Sequence, residues 1–184
     1  MDTDTIMKRL YELEVENKQW MTARHDGNWT HMDNAFKRAE GLLENWMKQH
    51  HDKDCYPPTI INITDGEYNG VSDAEMQQLA NQLKSMFTND GNVLLFNIHI
   101  VPGHIESVVF PASIGELNRN GYGEKLYSIS SLLPLNYNEQ IRAIFGDKQP
   151  DIRYHAMGVN AGMERLVKMM KIGTLSSMFV NNNL

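Results

Sequence analysis

Asp65 and Glu67 flank Gly66 in the run Thr64-Asp65-Gly66-Glu67, directly after the stretch Thr59-Ile60-Ile61-Asn62-Ile63. Gly66 permits a sharp turn, and the two carboxylates then stand at the end of a strand. Open α/β sheets gather their ligands outside the carboxyl ends of strands, which makes Asp65 a candidate site residue. The plainer role for Asp65 is a turn residue, because Asp-Gly is common turn punctuation.

Other reactive side chains carry less. His50 and His51 are neighbours at the end of a helical pattern, so their rings point in different directions. His99 and His104 both fall near a strand end, without a third ligand at a recognisable spacing, and read as polar loop residues. Cys55 is the only cysteine, which excludes an internal disulfide and a cysteine-rich zinc site. It lacks an activating context, and no serine lies in a Gly-x-Ser-x-Gly elbow, so nucleophilic catalysis has little support.

The elements that must position Asp65 follow from periodicity. Pro57 and Pro58 keep a helix from running into 59–63, a β-branched run that reads as a parallel strand buried on both faces. Before it, Met32, Ala35, Phe36, Ala39, Leu42, Leu43 and Trp46 recur at helical spacing over 31–49, with Thr30 placed as N-cap. After it, Ser72 and Glu75 form a capping box for a second amphipathic helix through Phe87, which residues 89–92 stop. The apolar run 93–98 is a second buried strand, so strand, helix and strand make a right-handed βαβ unit.

Farther along, 107–110 reads as an edge strand closed by Pro111, and 122–133 as a helix that Pro134 ends. Residues 138–145 form a short helix with Gly146 as C-cap. A last helix, with Met163, Leu166, Val167 and Met170 on one face, stops at Gly173. The N-terminal part reads as helical turns over 6–13 and a strand over 15–22, then a turn at 25–28; the tail 181–183 is polar.

Length and composition bound the rest. A chain of 184 residues suits one domain, and its apolar and charged fractions are ordinary for a globular protein. A net charge of -6 with scattered basic residues argues against nucleic acid, and no apolar run is long enough to span a bilayer. The first five residues are acidic and polar, unlike a secretory signal, so the expected compartment is the cytoplasm.

Residues 15–175 resemble the second half of a von Willebrand factor A domain, of the bacterial intracellular type associated with tellurium resistance. The match rests on Gly27-Asn28-Trp29-Thr30-His31-Met32 leading into a helix, then on Ile60-Ile61-Asn62-Ile63-Thr64-Asp65-Gly66-Glu67. Downstream, 126–134, 158–161 and 172–174 agree in order and separation. The resemblance implies a Rossmann-like fold, mostly parallel and flanked by helices, with a metal-ion-dependent adhesion site. Thr30 and Asp65 match two ligands of that site, whose hydroxyl and carboxylate oxygens suit Mg²⁺. The site's Asp-x-Ser-x-Ser motif occurs nowhere in the chain, and too few residues precede Thr30 for the family's first strands. The metal set is therefore partial and Mg²⁺ binding is expected to be weak. The strand at 59–63 is expected to expose an edge open to self-association, unless the chain is a fragment, borrows strands from a partner, or pairs its own strand near Trp20 with 59–63.

The function implied is a non-enzymatic protein-binding module in which an acidic side chain of a protein partner completes the metal site. Two alternatives stand beside it. An ATPase-like fragment would use the acidic pair after the strand, but no phosphate-cradling loop is present; Gly121-Tyr122-Gly123-Glu124-Lys125 is too short. A ligand-free structural remnant would act only as an assembly surface.

Overall fold

The computed structural model of the chain describes residues 30–50, 55–103, 106–117 and 121–173. The expectations for 6–13, 15–22, 25–28 and 181–183 lie outside them, as do His51 and His104.

The first helix, α1 (Met32–His50), has the expected limits and is followed by strand β1 (Thr59–Thr64). Because α1 begins at Met32, His31 and not Thr30 takes the flanking capping position. Helix α2 (Asp73–Ser85) starts on the capping box: Ser72 Oγ accepts from Glu75 N, and Glu75 accepts from Ser72 N in return. It stops earlier than expected. Phe87 leaves the helix for a small antiparallel hairpin, β2 (Phe87–Thr88) with β3 (Gly91–Asn92). Residues 89–92, expected to stop the helix, instead make the turn and second strand of this hairpin, while the helix ends at Ser85 with Met86 already extended.

Strand β4 (Leu94–His99) runs parallel to β1, pairing Thr59 with Leu94 through Thr64 with His99. Next come β5 (Val108–Val109), α3 (Gly121–Ile129), α4 (Asn138–Phe145), β6 (Met157–Val159) and α5 (Met163–Gly173). The described strands form a four-stranded sheet in the order β1-β4-β6-β5, parallel except for β5, which is the edge strand that 107–110 predicted. Gly146, at φ 77°, caps α4 as expected. Strand β6 was not predicted as a strand; only three residues long, it gives no periodic signal. Helix α3 is shorter than expected, since Leu132 and Leu133 join the extended segment before β6 through backbone bonding to His155 and Tyr154.

Helices cover both faces of this sheet, so the chain is mixed α/β with a mostly parallel, Rossmann-like arrangement. Leu95, Met157 and Val159 point to one face and pack with Met32 and Phe36 of α1, Met76, Ala80 and Leu83 of α2, and Leu126 and Ile129 of α3. Leu94, Phe96 and Ile98 point to the other face, against Phe110, Ile141, Met169 and Ile172. Of the α5 face expected, only Leu166 packs against the core; Met169 and Ile172 are buried beside it, while Met163, Val167 and Met170 are exposed. Every residue of β4 is buried, whereas β1 is only half-buried and Ile63 is 52 % exposed. The expectation of burial on both faces thus belongs to β4, and β1 is an outer strand among those described.

The α1–α3 face holds one polar chain inside its apolar packing. Asn62 Nδ2 donates to Asn97 Oδ1 at 2.8 Å, and Asn97 Nδ2 donates to Ser130 Oγ at 2.9 Å and to the Leu126 carbonyl at 3.3 Å. Ser130 Oγ donates in turn to that carbonyl at 2.7 Å. The bonds tie edge strand to central strand to helix α3, and each buried amide group is satisfied. Replacing Asn97 by Ala removes all the bonds its buried amide makes and leaves a cavity between β4 and α3: we expect a loss of about 2–4 kcal/mol, against about 1 kcal/mol for Asn62→Ala at the half-buried outer strand. Urea unfolding of both variants checks this; equal losses would mean that the chain is not anchored at Asn97.

Candidate functional site

The carboxyl ends of β1, β4 and β6 lie together, and the Asp65 turn stands over them. Thr64 ends β1 and Gly66 reverses the backbone at φ 89°. Asp65 is exposed; its Oδ1 accepts from Glu67 N at 3.3 Å, an Asx-type turn that holds the carboxylate above the strand. Gly66 N donates to Thr64 Oγ1 at 3.1 Å and fixes the other side of the turn.

Thr30 is exposed just before α1. Its carbonyl accepts from Asn69 N at 3.0 Å, so the segment carrying Thr30 is fastened to the loop carrying Asp65. The Gly70 end of the loop also abuts the His31 ring, 3.7 Å from where a Cβ would stand. The two sequence-derived site residues therefore belong to hydrogen-bonded neighbouring loops at one edge of the sheet.

The loop is also held from the α3 side. The Tyr68 hydroxyl donates to Asp73 Oδ1, and Lys125 Nζ lies 3.0 Å from the same oxygen. The Tyr68 hydroxyl and then the Lys125 ammonium keep the Asp73 carboxyl below the usual range; burial, and then Asp73, push the Tyr68 phenol up. Gly121-Tyr122-Gly123-Glu124-Lys125, weighed above as a phosphate loop, forms the first turns of α3.

His99 is the residue that sequence reasoning placed wrongly. It is the last residue of β4, 2 % exposed, and neither ring nitrogen has a hydrogen-bond partner. It is a strand residue, not a loop residue, because the parallel pairing with Thr64 carries β4 one position past the apolar run. A Cβ on Gly66 would stand 2.7 Å from His99 Cε1 and 2.7 Å from Tyr122 Cβ, so the ring packs directly under the Asp65 turn. The only sequence signal was a polar residue closing an otherwise apolar strand.

The remaining candidates separate from this edge. His50 Nδ1 lies 2.7 Å from the Trp46 carbonyl and its ring stacks on Trp46, an ordinary helix-end arrangement. Cys55 is a partly buried free thiol whose backbone N–H donates to Asn89 Oδ1.

Hydroxyl and carboxylate oxygens from Thr30 and Asp65 fit a hard, oxygen-seeking cation in kind. In number they are short, and among the described residues no group of three or more His, Cys, Asp or Glu gathers to hold one. Most of an octahedral shell would be left to water or to a partner's oxygen. Also among the described residues, no helix is long and apolar enough to cross a membrane. Comparisons with protein-family models, with curated proteins and with solved structures find no match.

Gly66 is the position on which the turn depends. Gly66→Ala combines a left-handed backbone with a clash against His99 and Tyr122, and is expected to cost about 2–4 kcal/mol. His99→Ala in the same chain should return part of that loss, since it removes one of the two clashes. Thermal unfolding of the two single variants and the double variant measures the coupling; strict additivity would show that the ring does not lie under the turn.

Proposed function

We propose that this chain is a non-enzymatic protein-binding module of von Willebrand factor A type with a partial metal-ion-dependent adhesion site. The observation that carries the reading is the bond from Asn69 N to the Thr30 carbonyl, which draws the hydroxyl-bearing and carboxylate-bearing loops to the same sheet edge. The parallel β1–β4–β6 arrangement with helices on both faces supports the fold half of the proposal.

Thr30 and Asp65 are the residues that would hold Mg²⁺ or a similar cation, which supplies a positive centre for an incoming carboxylate. The work left to the chain is positioning. The Asx turn holds the Asp65 carboxylate, the Tyr68–Asp73–Lys125 cluster anchors the loop to α3, and the exposure of both side chains leaves room for a protein surface. Recognition by such a site needs no bond to be made or broken. The forming of α3 by 121–125 also counts against the ATPase reading, because a helix does not wrap phosphates as a glycine-rich loop does.

Titration with Mn²⁺, a paramagnetic stand-in for Mg²⁺, followed by amide NMR tests this. Resonances of Thr30, Asp65, Gly66 and Glu67 should broaden first, with weak affinity, and Asp65→Asn should abolish the effect. Broadening centred elsewhere, or unchanged in Asp65→Asn, would contradict the assignment.

A further inference from the structure

We propose that a polar pocket at the amino end of β4 binds the oxyanion head, carboxylate or phosphate, of a small organic molecule, with Lys84, Arg153 and Ser131 as its donors. The pocket, of about 320 Å³, lies between the last turn of α2, the β2–β3 hairpin and the segment 131–137. Pro57 and Leu94 place it where β1 and β4 begin, at the opposite end of the sheet from Asp65. The inference is therefore independent of the cation site.

Neither cation of this pocket forms an ion pair. Lys84 is half-buried, and its Nζ reaches only the Ser130 carbonyl at 3.5 Å, the long limit of a hydrogen bond. Burial holds its ammonium below the ordinary lysine range. Arg153 uses Nε alone, which donates to the Leu133 carbonyl at 3.3 Å, and both terminal amino groups are left unspent. Elsewhere the chain pairs such cations, Lys37 with Asp33, Lys125 with Asp73 and Lys168 with Glu164. With 23 acidic residues against 17 basic ones, counter-ions are not scarce. His155 shows that the two charges act on one place: after burial, Lys84 and then Arg153 hold its imidazole below the ordinary range. Asp90 also lines the pocket but pairs with neither cation; its charge falls on Tyr137, whose phenol is pushed up by burial and then by Asp90.

Ser131 supplies the third donor. It is 5 % exposed, its Oγ accepts from Leu95 N at 2.8 Å, and its hydroxyl proton meets no acceptor among the described residues. A buried O–H left unspent costs free energy that a ligand oxygen in the pocket recovers. An ammonium, a guanidinium fork and a hydroxyl are all donors, which together suit a carboxylate or a phosphate. The volume exceeds that of a bare ion and matches the small end of ligand sites. Leu132 and Pro134 give an apolar wall for the rest of the molecule. Asp90 repels a second anionic group, so the fitting ligand carries one anionic head and is not a polyanion.

Amide NMR of the full chain, titrated with benzoate and with phenyl phosphate against sodium chloride at matched ionic strength, tests this. Shifts at Asn92, Val93, Ser131 and Leu132 should saturate with one or both organic anions, and the tighter of the two identifies the head group. Chloride should not reproduce them. Lys84→Met, which keeps the aliphatic stem, and Arg153→Met should each retain the native circular dichroism spectrum and weaken binding at least about tenfold. Lys84→Arg should restore most of the affinity. The proposal is overturned by the absence of saturable shifts with both anions, by shifts that chloride reproduces, or by an affinity that either methionine variant leaves unchanged.

Discussion

The structure depends on β4 being paired on both sides and buried, while β1, among the described residues, pairs with β4 alone. The Leu94–His99 backbone bonds to β1 and β6 and is covered by helices above and below, so its hydrogen-bonding groups are spent within the chain. The apolar side chains of β4 divide between the two cores: Leu95 packs with α1–α3, and Leu94, Phe96 and Ile98 with α4 and α5. β1 gains its position from β4 and from the Asn62–Asn97 bond, and is the outer strand among those described. The carboxylate turn at its end is a consequence of where this outer strand runs.

Asp65 owes its place to backbone constraints more than to contacts of its own. Parallel pairing brings Thr64 level with His99, Gly66 can reverse the chain only because it lacks a Cβ, and Asn69 draws the loop onto Thr30. The buried His99 ring supports the turn from below with both nitrogens unpaired, and a buried polar group left so costs free energy.

Much of the fold was legible because its signals are local. The stripe of α1, the Ser72–Glu75 capping box, the apolar run of β4 and the Gly146 cap each follow from side-chain chemistry within a few residues. What escaped was decided by distant partners. Met157–Val159 is a strand because Asn97, Ile98 and His99 lie beside it, not because three residues carry a pattern. The α5 face was misjudged because Met163 and Met170 are as apolar as Met169, and only the position of the sheet distinguishes them. In the candidate site, Asp65 announced itself through its turn, whereas the burial of His99 depends on where Gly66 and Tyr122 fall in space.

Residue-resolved amide hydrogen exchange along β1 tests the pairing with β4 alone most directly. The account predicts alternation, with slow exchange at Ile60, Asn62 and Thr64, whose amides face β4, and fast exchange at Ile61 and Ile63. Uniform protection along the strand would contradict it, because a second neighbour would then occupy the edge within the single chain.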